Sequence, residues 1–308
     1  MIERPRLGLD IGGTKTHGIL LGAAGRVLAE RVLPTERGAE GVIRSALAVT
    51  DACLDLAGIG RGDLDSVGIG VPGQVDHLTG TVRTAVNLDI SHLALGERLG
   101  LALGVPVAVD NDVKAAALAA AARLAASDLT YINVGTGVAS ATLADGRLVR
   151  GQGNLAGEIG HIALDPDGER CACGQRGCLE VLVGGAGIAE RLAALAPRVS
   201  LPSLFEAAAA GSPDAMTEAT RISAGIATAV QLVVLTQGSS RVVLGGGVVH
   251  AARGLVDEVR RILTARAASS EFLASLNLAD RVIVLPSDYP VAAIGAALVG
   301  RATADAVT

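Results

Sequence analysis

Tryptophan is absent from these 308 residues, and only two Tyr and two Phe are present. With so few rings, base stacking and aromatic platforms for sugars are nearly unavailable. A carbohydrate ligand would have to be gripped by hydrogen bonds. An excess of positive charge is missing too: 26 basic residues face 31 acidic ones, for a net charge of −5. That balance argues against a general nucleic-acid binder. We read no uncharged apolar run of the roughly twenty residues a membrane span needs. Glu3, Arg4, Arg6 and Asp10 around the first strand speak against a secretory leader. Cysteine is scarce, with four in all, yet Cys171, Cys173 and Cys178 lie together. Half of the residues are apolar and 40 are Gly, which excludes intrinsic disorder. The length suits about two domains. The expected class is a globular cytoplasmic protein that engages neither nucleic acid nor membrane.

The opening residues 7–11 read as a buried strand, followed by a Gly-Gly-Thr turn. Strands over 17–22 and 27–32 follow, separated by Ala24-Gly25-Arg26. A helix over 40–56, a strand over 67–71, a helix over 93–103, a strand over 105–109 and an Ala-rich helix over 113–126 come next. Then the opening pattern returns, with strands over 130–134, 138–143 and 148–149 joined by Gly135-Thr136-Gly137 and Asp145-Gly146-Arg147. One unit used twice predicts two similar α/β domains facing a cleft. A Gly-rich insert spans 150–178, and helices are expected over 180–196, 204–210, 214–235, 255–268 and 291–303. Strands over 241–244 and 282–285 lie among them. The expected division puts 1–111 and 290–308 in a small domain and 112–289 in a large one with a metal-binding loop over 157–180.

In Asp10-Ile11-Gly12-Gly13-Thr14-Lys15, two glycines after a strand let backbone approach a ligand. Their N–H groups and the Thr hydroxyl can form an anion-binding concavity, or simply a tight hairpin. Asp10 could hold Mg²⁺ directly or through water. Gly135-Thr136-Gly137 offers a matching concavity, and Gly245-Gly246-Gly247 is a third glycine-rich strand end. Three such ends converging would suit a nucleoside triphosphate, although none follows the P-loop or Rossmann pattern. Asp110-Asn111-Asp112 stands between a strand and a helix. One of its carboxylates could take the proton of an attacking hydroxyl, and a helix N-cap fits the same residues.

The strongest local pattern is Gly157-Glu158-Ile159-Gly160-His161 with Cys171, Cys173, Cys178 and Glu180. One His and three Cys make a closed tetrahedral set for structural Zn²⁺. The metal would stiffen the loop and aim Glu158 and Glu180 at a polyol. His161 would bind it through one ring nitrogen and keep the other for a ligand. Cys53 reads as a small buried hydrophobe. His17, His77, His92 and His250 have no partner set.

These segments, with Val71-Pro72-Gly73-Gln74-Val75-Asp76 and Asn87-Leu88, resemble the ROK family (repressors, open reading frames and kinases) over nearly the whole chain. The resemblance implies the actin-like ATPase fold, a duplicated ribonuclease H-like α/β unit forming two domains around a cleft. It implies ATP-dependent phosphorylation of a hexose or N-acetylhexosamine, usually at the 6-hydroxyl. By matching position, Asp112 would be the general base, and Asn87, Asn111, Glu158, His161 and Glu180 would bind the sugar. Gly12, Gly13, Thr14, Lys15, Gly135, Thr136 and Gly137 would surround the phosphates, and Gly246 and Gly247 would border the adenosine. His161, Cys171, Cys173 and Cys178 would hold zinc, in a homodimer or homotetramer. Glucose is the expected hexose, with N-acetylmannosamine or N-acetylglucosamine as alternatives. A non-catalytic sugar sensor and a sugar-independent actin-like ATPase are the readings from other classes. Asp10 comes so early that no preceding DNA-binding region is expected. Two departures touch the site: Asp89-Ile90-Ser91 lacks the aromatic often found after Asn-Leu, and Val138-Ala139-Ser140 stands where more Gly is usual.

Overall fold

A computed structural model describes residues 4–195 and 200–304, so Glu3 and the end of the helix expected over 180–196 lie outside the described residues. The chain divides into two compact units, residues 1–126, 148–156 and 288–308 in one, and 127–147 and 157–287 in the other.

In the first unit, β1 (Arg6–Ile11), β2 (Lys15–Leu21) and β3 (Val27–Pro34) form an antiparallel meander. Helix α1 (Gly38–Ala57) leads to β4 (Ser66–Val71), which pairs in parallel with β1. A small hairpin of β5 (Gln74–Asp76) and β6 (Thr81–Thr84) precedes α2 (Leu95–Leu103), β7 (Val107–Asn111) and α3 (Asp112–Leu124). The sheet order is β3-β2-β1-β4-β7. Leu7, Leu9 and Ile11 of β1 are fully buried with Val42, Ala46, Val49 and Cys53 of α1, as the sequence reading of Cys53 expects. The opposite face carries the chain's last helix, α11 (Val291–Ala304). It packs directly on strand backbone: a Cβ at Gly8 or Gly68 would strike the carbonyl oxygens of Ala293 and Ala296. α3 meets α11 the same way, where a Cβ at Gly295 would strike the Ala115 carbonyl. The Ala-rich sequences of both helices follow from this close packing. It is also why α3 belongs to the first unit, whereas the expected division began a new domain at residue 112.

In the second unit, β8 (Leu129–Val134) pairs antiparallel with β9 (Val138–Ala144), which is followed by β10 (Arg147–Leu148). Helices α4 (Leu179–Val183), α5 (Gly185–Leu195), α6 (Leu201–Ala209) and α7 (Pro213–Gln237) precede β11 (Val242–Gly245). Then come α8 (Gly247–Ala251), α9 (Leu255–Ala268), α10 (Glu271–Ser275) and β12 (Val282–Val284). β8, β11 and β12 are parallel, and the order is β10-β9-β8-β11-β12. Ile222, Ile226, Val230 and Val233 of α7 are buried with Ile132, Val134, Val242 and Leu244 of the sheet. By length and composition α7 could cross a membrane, contrary to the sequence reading, but here it is the unit's core helix.

Both sheets run third-second-first-fourth-fifth among their strands, a meander extended by two parallel strands. This is the ribonuclease H-like unit, used twice, of the actin-like ATPase fold.

Candidate active site

In the first unit, parallel register brings Asp10 of β1 beside Gly70 of β4, and Gly70 beside Asp110 of β7. A Cβ at Gly70 would lie 3.4 Å from the Asp112 Cα, so the start of α3 lies close against this strand position. Burial, then the charge of Asp112, pushes the Asp10 pKa up from 3.8 to about 7, against the pull of Lys15. A carboxylate near the end of β1 repelled by one at the start of α3 is a setting that a divalent cation relieves.

The turn after β1 closes through Gly12 N–H to the Lys15 carbonyl at 3.0 Å. Gly13 lies against Asn87, whose carbonyl oxygen would be 2.8 Å from a Cβ there. Asn87, Thr14 and Lys15 are exposed. After Asn87, Asp89 adopts φ 54° and Ile90 is buried in the core.

Asp110 and Asp112, the second of which the resemblance makes the general base, have different surroundings. Asp110 is fully buried and held by Arg150 at 2.7 Å, with Asn154 Nδ2 3.3 Å from its Oδ1. Asn111 caps α3, accepting from the N–H groups of Val113 (3.0 Å) and Lys114 (3.2 Å), and donates to the Gly73 carbonyl at 3.3 Å. Asp112 is half-buried at the first turn of α3, and its Oδ1 accepts the Val113 N–H at 3.0 Å. Sequence reasoning missed Lys114, which is buried and donates to the carbonyls of Asn154 (3.0 Å) and Ala156 (3.1 Å). A lysine inside an apolar alanine run was the available sign. With Arg150 and Asn154 it fixes the segment that ends one residue before Gly157.

In the second unit, Gly135 N–H bonds the Gly137 carbonyl at 3.0 Å, and the turn is braced from behind. The N–H groups of Gly185 and Ala186, at the start of α5, donate to the carbonyls of Gly135 (2.8 Å) and Thr136 (3.1 Å). The Val138 N–H donates to Glu180 Oε2 at 2.9 Å. This is why one helix expected over 180–196 is two: the chain breaks at Gly184 to support the turn. Gly246, at φ 94°, sits against the Val134 carbonyl where a Cβ would collide, while Gly247 opens α8 with free space around it. The two glycine-rich ends of this unit therefore meet at the ends of β8 and β11.

The stretch 157–161 lies along β9. A Cβ at Gly157 or Gly160 would strike the carbonyls of Ser140 and Val138. The Ser140 N–H and hydroxyl both donate to the Gly157 carbonyl, at 2.8 and 3.3 Å. The Val138-Ala139-Ser140 departure thus holds the loop that presents exposed Glu158 and half-buried His161.

The ligand atoms of His161, Cys171, Cys173 and Cys178 all lie within 4.8 Å of one another. Cys173 and Cys178 sulfurs are 3.7 Å apart, and Cys171 Sγ is 3.9 Å from His161 Nδ1. Two sulfurs about 2.3 Å from one tetrahedral zinc stand roughly 3.8 Å apart. The set fits that ion, and it leaves His161 Nε2 as the other ring nitrogen. N–H groups of Gln175 pull the Cys173 thiol down to about 6, while burial pushes Cys178 up to about 12. A thiolate at neutral pH is what a metal requires.

Comparison with known proteins gives a consistent picture. The sequence model of the ROK family matches residues 6–299. A glucokinase of Halalkalibacterium halodurans is 34% identical over 195 residues, a match covering 61% of this chain and 59% of that protein. An N-acetylmannosamine kinase of Citrobacter koseri is 32% identical over 268 residues, covering 83% of this chain and 88% of that one. Among solved structures, a ROK family glucokinase from Streptomyces griseus, in complex with glucose and AMPPNP, superposes with a TM-score of 0.78. It is 28% identical, with 97% of this chain and 99% of that one covered.

Proposed function

The chain belongs to the ROK family, and we propose that it is an ATP-dependent kinase that phosphorylates a hexose at its 6-hydroxyl. The observation that carries this reading is the place of Glu180. Its carboxylate holds the Val138 N–H at the end of the Gly135-Thr136-Gly137 turn, and it keeps acceptor capacity for a sugar hydroxyl. A hydroxyl-binding carboxylate and a phosphate-binding turn share one network, as phosphoryl transfer from nucleotide to sugar requires and plain ATP hydrolysis does not.

Asn87, Asn111, Glu158, His161 and Glu180 would bind the sugar, and glycine turns 12–13 and 135–137, with Thr14, Lys15 and Thr136, the phosphates. Gly246 and Gly247 would border the adenosine. Asp10 would hold Mg²⁺, which neutralises phosphate charge when bound. Asp112 takes the hydroxyl proton as that oxygen bonds to the γ-phosphorus and the bond to ADP breaks. His161, Cys171, Cys173 and Cys178 would hold zinc, whose role is to stiffen the loop. Reduced thiols and ATP suit the cytoplasm, and a homodimer or homotetramer is the expected assembly.

Glucose is the first substrate to try. N-acetylmannosamine is the second, because that kinase aligns with more of the chain than the glucokinase does. Asp112→Asn tests the mechanism. Its kcat should fall by about 10²–10⁴-fold or more while sugar affinity, measured by direct binding, survives. Near-normal turnover would remove Asp112 from the role.

A further inference from the structure

The break between α4 and α5 has an anchor that the active-site reading does not use. Arg191 of α5 has a side chain only 10% exposed. Its Nη1 donates to the Val181 carbonyl at 2.5 Å and its Nη2 to the Leu182 carbonyl at 2.6 Å. Its Nε donates to the buried Glu218 of α7 at 2.7 Å, and Nη1 is 3.4 Å from Glu169 of the cysteine-rich loop. The two carbonyls lie in the last turn of α4, where no helical N–H can reach them. A planar guanidinium fork satisfies both, and its charge suits a helix C-terminus. One residue before Val181 stands Glu180, which holds the Val138 N–H. Just beyond stand Gly185 and Ala186, which hold the carbonyls of Gly135 and Thr136.

We propose that Arg191 is a positioning residue: it clamps the α4–α5 junction and so sets Glu180 and the 135–137 turn together. Loosening the clamp then weakens sugar and nucleotide binding in concert, although Arg191 acts only through those residues. The kinetic part rests on the sugar-kinase reading; the structural part does not.

Two variants separate clamping from packing. Arg191→Lys keeps a cation for Glu218 but cannot span both carbonyls. Glu218→Gln keeps the fork and removes the buried ion pair. For the full-length protein purified with Zn²⁺, we would measure both KM values, kcat, and amide hydrogen exchange at residues 135–138 and 185–186. In Arg191→Lys, both KM values should rise on the order of tenfold with a smaller change in kcat, and those amides should exchange faster. Glu218→Gln should stay within about twofold of the parent in both KM values, whatever its melting temperature. If Arg191→Lys does not fold, Arg191→Gln with Glu218→Gln leaves no buried charge and carries the same expectation. Parental KM values and exchange in the Arg191 variants, or equal shifts in Glu218→Gln alone, would overturn the proposal. If the parent turns over no sugar, the kinase reading fails, and the exchange data alone decide for or against the clamp.

Discussion

Asp10 keeps its proton well above the ordinary carboxylate range, with a pKa of about 7 against 3.8. Between those values the folded chain binds more protons than the unfolded one, so this group makes stability fall as pH rises from about 4 to about 7. The penalty is complete above pH 7 and absent below pH 4. Asp10→Asn should therefore raise the melting temperature at pH 8 and change it little at pH 4. A difference that does not vary with pH would contradict the burial-driven shift. At this scale the sequence was only partly legible. Asp10, Asp112 and the glycines could be picked out by type and neighbours. The burial and pairing of Asp110 could not, because they depend on Arg150 and Asn154, some forty residues away in sequence. Lys114 and Arg191 were passed over for the same reason: their partners are main-chain carbonyls, which leave no mark in a sequence.

Among the elements, long periodic helices and buried strands were foreseen close to where they stand. The hairpin β5–β6 and the five-residue helices α8 and α10 were too short to carry a period. The break at Gly184 was missed because local propensity favours a continuous helix there, and the need to brace the 135–137 turn overrides it. The cysteine-rich loop is the opposite case, since its ligand spacing announces the geometry that the structure then shows. With no large core of its own, that loop should depend on its metal. Cys173→Ser should lose zinc, by elemental analysis, and raise the sugar KM on the order of tenfold, because Glu158 and His161 lose their fixed frame. Native protein free of zinc would contradict this account of the loop.

At the scale of the whole molecule, the repeated strand order explains why glycine turns recur after β1 and β8: each is the first hairpin of the same unit. Duplication of one unit supplies two glycine turns, and the carboxylates proposed for the sugar, Glu158 and Glu180, stand on additions to the second unit, the loop over 157–178 and helix α4. The most direct measurement is ADP release from Mg-ATP with no sugar, then with glucose, mannose, fructose, N-acetylglucosamine, N-acetylmannosamine or 6-deoxyglucose. ADP should appear only with a sugar that bears a free 6-hydroxyl, and 6-deoxyglucose should give none. Release that is independent of sugar, or that 6-deoxyglucose also supports, would contradict a 6-hydroxyl kinase.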